Sequence, residues 1–307
     1  MKILLLGKNG QLGWELQRAL APLGEVLACG REGPQALEEL SADLAQPARL
    51  PALIELLRPD LIVNAAAYTA VDQAEGQAEL AHQVNAVAPG VLATCAAALG
   101  VPLVHYSTDY VFDGSGEHAR DEEAPTGPLN VYGRSKLEGE ARIRASGCRH
   151  LVLRTSWVHA RRGGNFARTM LRLAAERDAL KVIDDQIGAP TGADLLADIT
   201  AHCVRPLLGD PSVSGTYHCV AAGHTSWHGY ARFLIQAALE RGFKLKTTPL
   251  AVAAIPTRDY PTPARRPLNS RLATDKLQRQ FGLRLPPWQD GVLRWLIETL
   301  PPESKLP

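Results

Sequence analysis

The 307-residue chain has little of what indicates a secreted, membrane-bound or nucleic-acid-binding protein. Its five cysteines are scattered, without a C-x-x-C pair or the spacing of a metal site. The formal net charge is only +1, so no basic excess attracts nucleic acid or an anionic membrane surface. No apolar run approaches the roughly 18 residues of a membrane span, and the run at residues 3–6 is too short for a signal peptide. We therefore expect a cytoplasmic protein without nucleic-acid or membrane partners.

Short apolar runs alternate with helical patterns in the first half of the chain. The predicted strands are residues 3–6, 26–29, 61–63, 101–106 and 151–153. The predicted helices between them are residues 12–23, 47–57, 79–99 and 130–145. Because parallel strands need crossover connections, this alternation predicts an α/β fold with a doubly wound parallel sheet of the Rossmann type.

A glycine-rich turn joins the first predicted strand to the first predicted helix. It reads Gly7-Lys8-Asn9-Gly10-Gln11-Leu12-Gly13, which is G-x-x-G-x-x-G rather than the standard G-x-G-x-x-G. At such a junction, glycines let the backbone approach a pyrophosphate at the helix N-terminus. We interpret the turn as a dinucleotide-binding loop, and a glycine-rich turn without a ligand is the alternative.

The ends of the second and third predicted strands concern the rest of the dinucleotide. NAD enzymes usually carry an acidic residue after the second strand, where this chain has Arg31. Arg31 pairs readily with a 2′-phosphate, and Lys8 is a second cation, so NADPH is favoured and NADH is the alternative. The third strand ends in small residues, including Ala66 and Ala67, which allow close approach of a flat ligand.

The strongest chemical pattern combines Tyr132 and Lys136 with Thr108. Tyr132 and Lys136 are four positions apart, so they share one face of a predicted helix. An adjacent ammonium stabilises a phenolate, and this predicts a lowered pKa for Tyr132 as proton donor. Thr108, or its neighbour Ser107, ends the fourth predicted strand with a hydroxyl that holds a substrate carbonyl. The pattern predicts hydride reduction.

The second half of the chain is less regular than the first. Helices are predicted at residues 166–177, 193–207 and 226–241, and the proline-containing stretch 254–267 is predicted to be irregular. We predict an NAD(P)-binding domain over residues 1–155. Residues 156–307 are predicted to form mainly a substrate-binding lobe that is partly interleaved with the first domain.

These motifs, in this order, resemble the extended short-chain dehydrogenase/reductase family over most of the chain. Longer segments sharpen the resemblance to that family's reductases of nucleotide-linked 4-keto sugars: NAAAYTAVDQAE (64–75), HYSTDYVFDG (105–114), PLNVYG (128–133), RTSW (154–157) and DQIGAPTG (185–192). The resemblance implies NAD(P)H-dependent reduction of the 4-keto group of dTDP-4-dehydro-6-deoxy-L-mannose. The product is dTDP-L-rhamnose, a precursor of cell-surface polysaccharide such as O-antigen.

The resemblance also implies roles for individual residues. It places the catalytic groups at Thr108, Tyr132 and Lys136, and a helix-kinking asparagine at Asn85. The implied cofactor contacts, together with those of the motifs above, are Gly7, Gly10, Gln11, Leu12, Gly13, Arg31, Asp43, Leu44, Ala66, Ala67, Tyr68, Thr69, Tyr132 and Lys136. The implied sugar contacts are Val71, Thr108, Asp109 and Trp157, with Arg271 nearby in the second lobe. A core aromatic is the alternative for Trp157.

Some family members dimerise through acidic residues that bind magnesium. Glu15, Asp194 and Asp290 lie in comparable regions, although Asp194 is shorter than the glutamate expected there. Ordinary solvated carboxylates are the alternative. The sequence therefore leaves open both Mg²⁺ and the choice between monomer and homodimer.

Two other functions fit the same fold. One is a different sugar-nucleotide reductase, epimerase or dehydratase. A dehydratase is expected to have two acids after the threonine, whereas Asp109 is followed here by Tyr110. The other is a non-catalytic regulatory subunit, as in the β subunit of methionine adenosyltransferase. The intact Thr108, Tyr132 and Lys136 favour catalysis.

Overall fold

Strand β1 (Lys2–Leu6) sends its side chains alternately into two apolar layers. Ile3 and Leu5 pack in one layer, and Leu4 and Leu6 pack in the other. A strand that is apolar on both faces belongs in the centre of a sheet with helices on both sides. The computed structural model, which describes residues 1–31 and 42–299, has this arrangement.

The strands that follow β1 are β2 (Glu25–Cys29), β3 (Leu61–Asn64), β4 (Leu103–Thr108), β5 (His150–Thr155), β6 (Val158–His159), β7 (Leu180–Ile183), β8 (Ile187–Gly188), β9 (Thr191–Gly192), β10 (Gly215–His218), β11 (Thr225–Ser226) and β12 (Val252–Ile255). The helices are α1 (Gln11–Leu20), α2 (Leu50–Leu57), α3 (Val71–Ala74), α4 (Ala78–His82), α5 (Ala88–Leu99), α6 (Val131–Ala145), α7 (Phe166–Glu176), α8 (Ala193–Gly209), α9 (Trp227–Glu240), α10 (Asp275–Phe281) and α11 (Trp288–Thr299).

Six strands form the main sheet in the order β2-β1-β3-β4-β5-β10, and every neighbouring pair is parallel. The predicted doubly wound parallel sheet is therefore confirmed. The strand order reverses direction between β1 and β3, and ligands bind such sheets outside the carboxyl ends of the strands near this point. The glycine-rich turn after β1 lies at this position.

Two elements differ from the sequence-based prediction in the first half and at the sheet edge. The predicted helix over residues 79–99 is interrupted by a π-helical turn at Gln83–Val87. Pro89 lacks an N–H for the preceding turn, which is consistent with a break at this place. Strand β10 was missed because Gly215-Thr216-Tyr217-His218 has no apolar run; it is an edge strand of the sheet.

A second apolar cluster lies among α7, α9, α11 and the parallel pair β7–β12. The sequence did not predict β7, α10 or α11. The stretch 254–267 was predicted to be irregular, but its first two residues complete β12. The second half also contributes β10 to the main sheet, and α8 packs on α1. The domain division at residue 155 stays a prediction, and residues 300–307 lie outside the described part of the chain.

Two further predictions concern cysteines and membrane helices. The five cysteines are free thiols, four of them buried. Within residues 1–31 and 42–299, no helix is long and apolar enough to cross a membrane.

Candidate active site

The glycine-rich turn packs so tightly that a side chain is excluded at Gly7 and at Gly13. Gly7 has a φ of +93°, and a Cβ there would lie 2.7 Å from Ala66 N. A Cβ on Gly13 would lie 2.0 Å from Gly7 O, so helix α1 rests directly on the turn. Gly10 precedes the helix, and its N–H donates to Gly7 O over 3.0 Å. This close packing fits a backbone cradle for a pyrophosphate at the N-terminus of α1.

The end of β2 lies beside this turn. The N–H groups of Gly7 and Lys8 both donate to Cys29 O, over 2.9 and 3.0 Å. The same strand end continues into Arg31, an exposed residue whose carbonyl accepts from Ala42 N–H. Arg31 and Lys8 are thus on neighbouring segments, as expected of groups that bind a ribose phosphate. Their role stays a prediction.

The remaining predicted cofactor residues follow the turn and strands β2 and β3. Gln11 Oε1 accepts from Asn165 Nδ2 over 3.0 Å, which links the turn to the start of α7. Asp43 Oδ1 accepts from Ala45 N–H, and Leu44 is buried. Leu12 packs against the apolar layer beneath α1. Ala67 and Thr69 stand between β3 and α3.

Asn85, in the π-helical turn, fixes the segment after β3. Its Oδ1 accepts from Tyr68 N–H over 2.9 Å, and its Nδ2 donates to Tyr68 O over 3.0 Å. Its Nδ2 also lies 3.1 Å from Ser135 Oγ on α6. The helix irregularity implied by the family resemblance is therefore present at Asn85. In this structure Asn85 pairs with Tyr68 and Ser135.

Thr108, Tyr132 and Lys136 converge because α6 begins against the end of β4. A Cβ on Gly133 would lie 2.2 Å from Tyr110 O, so the first turn of α6 packs directly on the turn after β4. Asn130 caps α6 by accepting from Gly133 N–H over 2.8 Å. The rings of Tyr110 and Tyr132 meet edge to face, with centroids 5.7 Å apart.

Burial dominates the acid–base properties of these residues. It raises the pKa of Tyr132 to about 12, with Asp109 adding to the rise and the Thr108 hydroxyl opposing it. The sequence predicted the opposite direction for Tyr132, and burial outweighs the expected effect of Lys136. Burial likewise lowers the pKa of Lys136 to about 8, against the opposing charge of Glu140. Tyr132 therefore keeps its proton at neutral pH, whereas Lys136 binds its proton more weakly than an exposed lysine does.

Asp109 is buried directly beside Thr108. The Thr108 hydroxyl donates to Asp109 Oδ1 over 3.0 Å and accepts from Tyr110 N–H over 3.2 Å. Burial raises the pKa of Asp109 to about 6, against the hydrogen bonds of Ser270 and Thr108. These contacts fix the Thr108 hydroxyl close to the Tyr132 ring system.

Trp157 has a backbone conformation that non-glycine residues seldom adopt. Its φ is +49°, and its ring stacks on Trp227 with centroids 3.5 Å apart and planes at 11°. A Cβ on Gly188 would lie 2.6 Å from the Trp157 ring, so β8 also presses against it. Strain of this kind persists where surrounding structure holds it, often at binding sites. Trp157 is half-buried, so part of its surface stays available.

The predicted sugar contact Val71 begins α3, which is tied to the second half of the chain. Asp72 binds Arg266 through two contacts of 2.8 and 3.0 Å, and it also accepts from Ala264 N–H. The Arg266 side chain also lies near Tyr110. Arg271 lies further along the same segment and donates to Asn269 Oδ1.

Two of the three acidic residues considered for Mg²⁺, Glu15 and Asp194, have basic partners. Glu15 lies 3.6 Å from Arg18, and Asp194 lies 3.3 Å from Arg294. Asp290 is in the first turn of α11. In the described part of the chain, no group of three or more His, Cys, Asp or Glu residues is arranged to hold a metal ion. The Mg²⁺ site that the family resemblance implies at a dimer contact stays a prediction.

Several residues of this region were missed by the sequence analysis. They include His105 next to Lys136, Trp227 behind Trp157, Gly188 below it, and the ion pair Asp72–Arg266. His105 carried a signal, because a polar residue within an apolar strand must have a partner. The others meet across long sequence separations, which local patterns do not show.

Comparisons with known proteins agree with this geometry. The family model described as RmlD substrate binding domain matches residues 1–300. A dTDP-4-dehydrorhamnose reductase of Salmonella typhimurium is 52% identical, over 97% of this chain and 98% of that protein. The enzyme of the same name from Burkholderia thailandensis is 48% identical, over 95% and 97%. The crystal structure of the Bacillus anthracis dTDP-4-dehydrorhamnose reductase in complex with NADP is 32% identical, with a TM-score of 0.84 over 97% of this chain and 99% of that one.

Proposed function

The chain belongs to the RmlD substrate binding domain family, and on that premise we propose that it is an NADPH-dependent reductase of dTDP-4-dehydro-L-rhamnose. The product is dTDP-L-rhamnose, a precursor of surface polysaccharide. The observation that carries the proposal is the convergence of Thr108, Tyr132 and Lys136 at the carboxyl end of the sheet, beside the glycine-rich turn. Relatives with 48–52% identity over nearly the whole chain carry the same enzyme name.

The residues around β1 to β3 fit a dinucleotide, because glycine at positions 7 and 13 lets the backbone of the turn pack closely against β3 and the N-terminus of α1. Gly7, Gly10 and Gly13 would cradle the pyrophosphate, and Ala66 and Ala67 would lie against the adenosine half. We assign the 2′-phosphate to Arg31 and Lys8, which makes NADPH the preferred cofactor over NADH. When bound, the cofactor supplies the hydride for the keto carbon.

Tyr132 supplies the proton that the sugar oxygen needs as the carbonyl becomes a hydroxyl. Because its pKa is about 12, Tyr132 holds that proton throughout the neutral pH range until negative charge develops on the oxygen. In this structure the Thr108 hydroxyl donates to Asp109 Oδ1 and accepts from Tyr110 N–H, and it would turn its hydrogen from Asp109 to the sugar oxygen in order to orient it. Reduction needs a proton donor here, and a buried tyrosine meets this need.

The second half of the chain binds the sugar from the other side. Trp157 offers an aromatic face to the apolar face of a deoxysugar, and the segment around Arg266 lies next to Tyr110. Val71 and Asp109 complete the proposed sugar contacts. A Mg²⁺ requirement, the oligomeric state and the cytoplasmic location stay predictions.

A direct spectrophotometric assay tests the proposal. Purified protein is mixed with NADPH and dTDP-4-dehydro-L-rhamnose, absorbance of the reduced nicotinamide is followed, and the product is identified by mass. We expect rapid oxidation that Tyr132→Phe loses by at least about 100-fold, the usual contribution of general acid catalysis. The matched control is Tyr217→Phe on the edge strand β10. It removes a buried hydroxyl that donates to Val213 O, and it should retain activity.

The two alternative functions, another sugar-nucleotide enzyme and a regulatory subunit, predict different results in this assay. If NADPH binds but this substrate is not reduced, the proposal fails. Reduction or epimerisation of another sugar nucleotide would then identify a different enzyme of the same fold. Binding of NADPH without turnover of any sugar nucleotide, together with capture of a synthetase, would identify a regulatory subunit.

A further inference from the structure

The amine of Lys136 lies against His105, which forms a buried pair with Asn64, and the proposed reaction uses neither of these side chains. Lys136 Nζ lies 2.5 Å from Tyr106 O and 3.1 Å from His105 Nε2. The other ring nitrogen of His105 lies 3.1 Å from Asn64 Nδ2. Asn64, His105 and Lys136 are each only 1% exposed. Because water does not reach these groups freely, each hydrogen atom between them must have an acceptor.

The orientation of the Asn64 amide is fixed by the backbone. Asn64 Oδ1 accepts from the N–H of Ala66 over 3.1 Å, and a backbone N–H is always a donor. Turning the amide over would place its NH₂ group against that N–H. The amide nitrogen of Asn64 therefore faces His105 and donates to it.

This orientation determines which nitrogen of His105 carries the proton. Since Asn64 Nδ2 donates, His105 Nδ1 must accept and carries no hydrogen. Burial, the largest cause, also lowers the pKa of His105 well below its usual value, so the ring is neutral. A neutral imidazole without a proton on Nδ1 has it on Nε2. That N–H points at Lys136 Nζ.

An ammonium group has three donors and no acceptor, whereas a neutral amine has one lone pair. The contact between His105 Nε2–H and Lys136 Nζ is therefore satisfied only when the lysine is neutral, and Tyr106 O accepts one of the amine hydrogens. With an ammonium, two donors face each other in a buried site. The arrangement favours release of the proton from Lys136.

The other charges around Lys136 do not reverse this preference. Glu140, one turn further along α6, raises its proton affinity, but both Glu140 oxygens are held by Arg154 at 2.9 and 2.7 Å. Arg154 on β5 is itself buried and also lies 3.5 Å from His218. Tyr132, on the preceding turn of α6, is neutral because of its raised pKa.

We propose that Asn64 and His105 are positioning residues for Lys136. Asn64 holds His105 in its Nε2–H tautomer, and the Nε2–H of His105 weakens proton binding at Lys136. This proposal rests on the proposed reduction, because weaker proton binding at Lys136 serves to return a proton to Tyr132 in that reaction. After Tyr132 has given its O–H proton to the sugar oxygen, an N–H bond of Lys136 breaks and the O–H bond of Tyr132 re-forms. The neutral amine is then stabilised by His105 until solvent returns a proton.

The tautomer can be measured without any activity assay. In protein labelled with ¹⁵N-histidine, long-range proton–nitrogen spectra distinguish the two ring nitrogens, and His105→Phe assigns the signal. We expect Nε2 protonated and Nδ1 bare throughout the neutral range. In Asn64→Asp, a carboxylate replaces the donor at nearly the same shape, so the proton should move to Nδ1. A wild-type ring protonated on Nδ1, or a tautomer unchanged in Asn64→Asp, would overturn the proposal.

The effect on Lys136 is measured by titrating its side-chain signals in protein labelled with ¹³C,¹⁵N-lysine. Loss of the His105 donor in His105→Phe should raise the Lys136 midpoint by about one pH unit, or about tenfold in proton affinity. His150→Phe, at the start of the neighbouring strand β5 and bonded to Cys148 O, is the matched control and should leave the midpoint unchanged.

An unchanged Lys136 midpoint in a folded His105→Phe protein, verified by its thermal unfolding, would sink the proposal. In the active enzyme, the alkaline limb of the kcat profile should shift to higher pH in the same variant. A purely structural role for His105 predicts lower stability without this shift. Failure of the proposed function would abolish the kcat readout but leave both NMR measurements interpretable, so the two failures are distinguishable.

Discussion

Asp109 is a buried carboxyl group whose ionisation opposes folding. Burial raises its pKa from 3.8 to about 6. Between these values the folded state binds more protons than the unfolded state, so this group's contribution to stability declines as pH rises from about 4 to about 6. The full change amounts to about 3 kcal/mol.

Asp109→Asn removes this titration at nearly constant shape. We expect the free energy of unfolding of the variant, relative to the wild-type protein, to increase by about 2–3 kcal/mol from pH 4 to pH 7. Urea denaturation at four pH values measures it. Asp113→Asn is the control, because hydrogen bonds from Ser115 lower the pKa of that exposed carboxyl, so its titration lies mainly below pH 4 and its difference from the wild-type protein should stay nearly constant from pH 4 to pH 7. A pH-independent difference for Asp109→Asn would contradict the argument.

Trp227 stacks on the ring of Trp157, whose backbone is in the left-handed conformation. Replacing Trp227 by Leu removes the stacked ring while leaving an apolar side chain, so Trp157 loses its fixed orientation. A stacked aromatic pair contributes about 0.5–1.5 kcal/mol beyond its buried area, which corresponds to roughly a 2- to 10-fold change in binding. We expect KM for the sugar nucleotide to rise by that factor while KM for NADPH stays constant.

Steady-state kinetics with each substrate varied in turn measures the Trp227→Leu effect. Phe233→Leu is the matched control, because Phe233 lies on the same helix but packs against Trp288, with centroids 4.9 Å apart. Both variants lose apolar packing, so general destabilisation affects both. Equal changes in KM for the sugar would show that the stack has no specific role.

At the scale of elements, a single substitution at Gly13 tests the contact between α1 and the glycine-rich turn. In Gly13→Ala the new Cβ would meet Gly7 O at 2.0 Å, and both partners are backbone, so α1 must move away. We expect a loss of about 1–3 kcal/mol in stability, as for other overpacked sites, and at least about tenfold weaker NADPH binding.

Chemical denaturation and fluorescence titration with NADPH measure the two effects of Gly13→Ala. Gly209→Ala is the control at the end of α8, where nothing lies within 4 Å of the added methyl group. Alanine favours a helix over glycine by about 1 kcal/mol, so this control should be neutral or stabilising. Unchanged NADPH binding in Gly13→Ala would refute the assignment of the turn.

The elements that the sequence predicted correctly share one property, which is a strong local pattern. β1 and α1 were predicted because apolar periodicity changes from a continuous run to helical spacing at Gly7. β10 was not, because its polar residues become a strand only by pairing with β5. The π-helical turn at Gln83–Val87 was masked by a continuous Ala-rich pattern, although the resemblance pointed to Asn85.

The residues of the candidate site likewise divide into those that a local sequence pattern predicts and those that it does not. Thr108, Tyr132 and Lys136 were predicted from a spacing of four residues and a strand end. The raised pKa of Tyr132 was not, because it follows from burial that only the folded chain shows. The Asn64–His105 pair joins β3 to β4, and Trp227 reaches Trp157 across 70 positions of sequence. Such pairs are tertiary facts that no local pattern encodes.

At the scale of the whole molecule, the ion pair between Asp72 and Arg266 joins the two halves of the chain next to Tyr110. Asp72 on α3 binds Arg266 with two contacts across 194 positions, and the Arg266 side chain is 22% exposed. The pair holds the segment with Ala264 against the helix that starts at Val71. Because the geometry is bidentate and half-buried, it exceeds the value of an ordinary surface ion pair.

A double-mutant cycle with Asp72→Asn and Arg266→Gln tests this link. We expect a coupling free energy of about 1–2 kcal/mol in stability, falling when the salt concentration is raised to 1 M. Either single variant should raise KM for the sugar nucleotide more than KM for NADPH, because the segment that it releases lies next to Tyr110. The exposed pair Arg172–Glu176 on α7 is the control cycle, expected to give below about 0.5 kcal/mol. Equal coupling in both cycles would mean that the pair is ordinary surface charge and that other contacts hold the two halves together at this place.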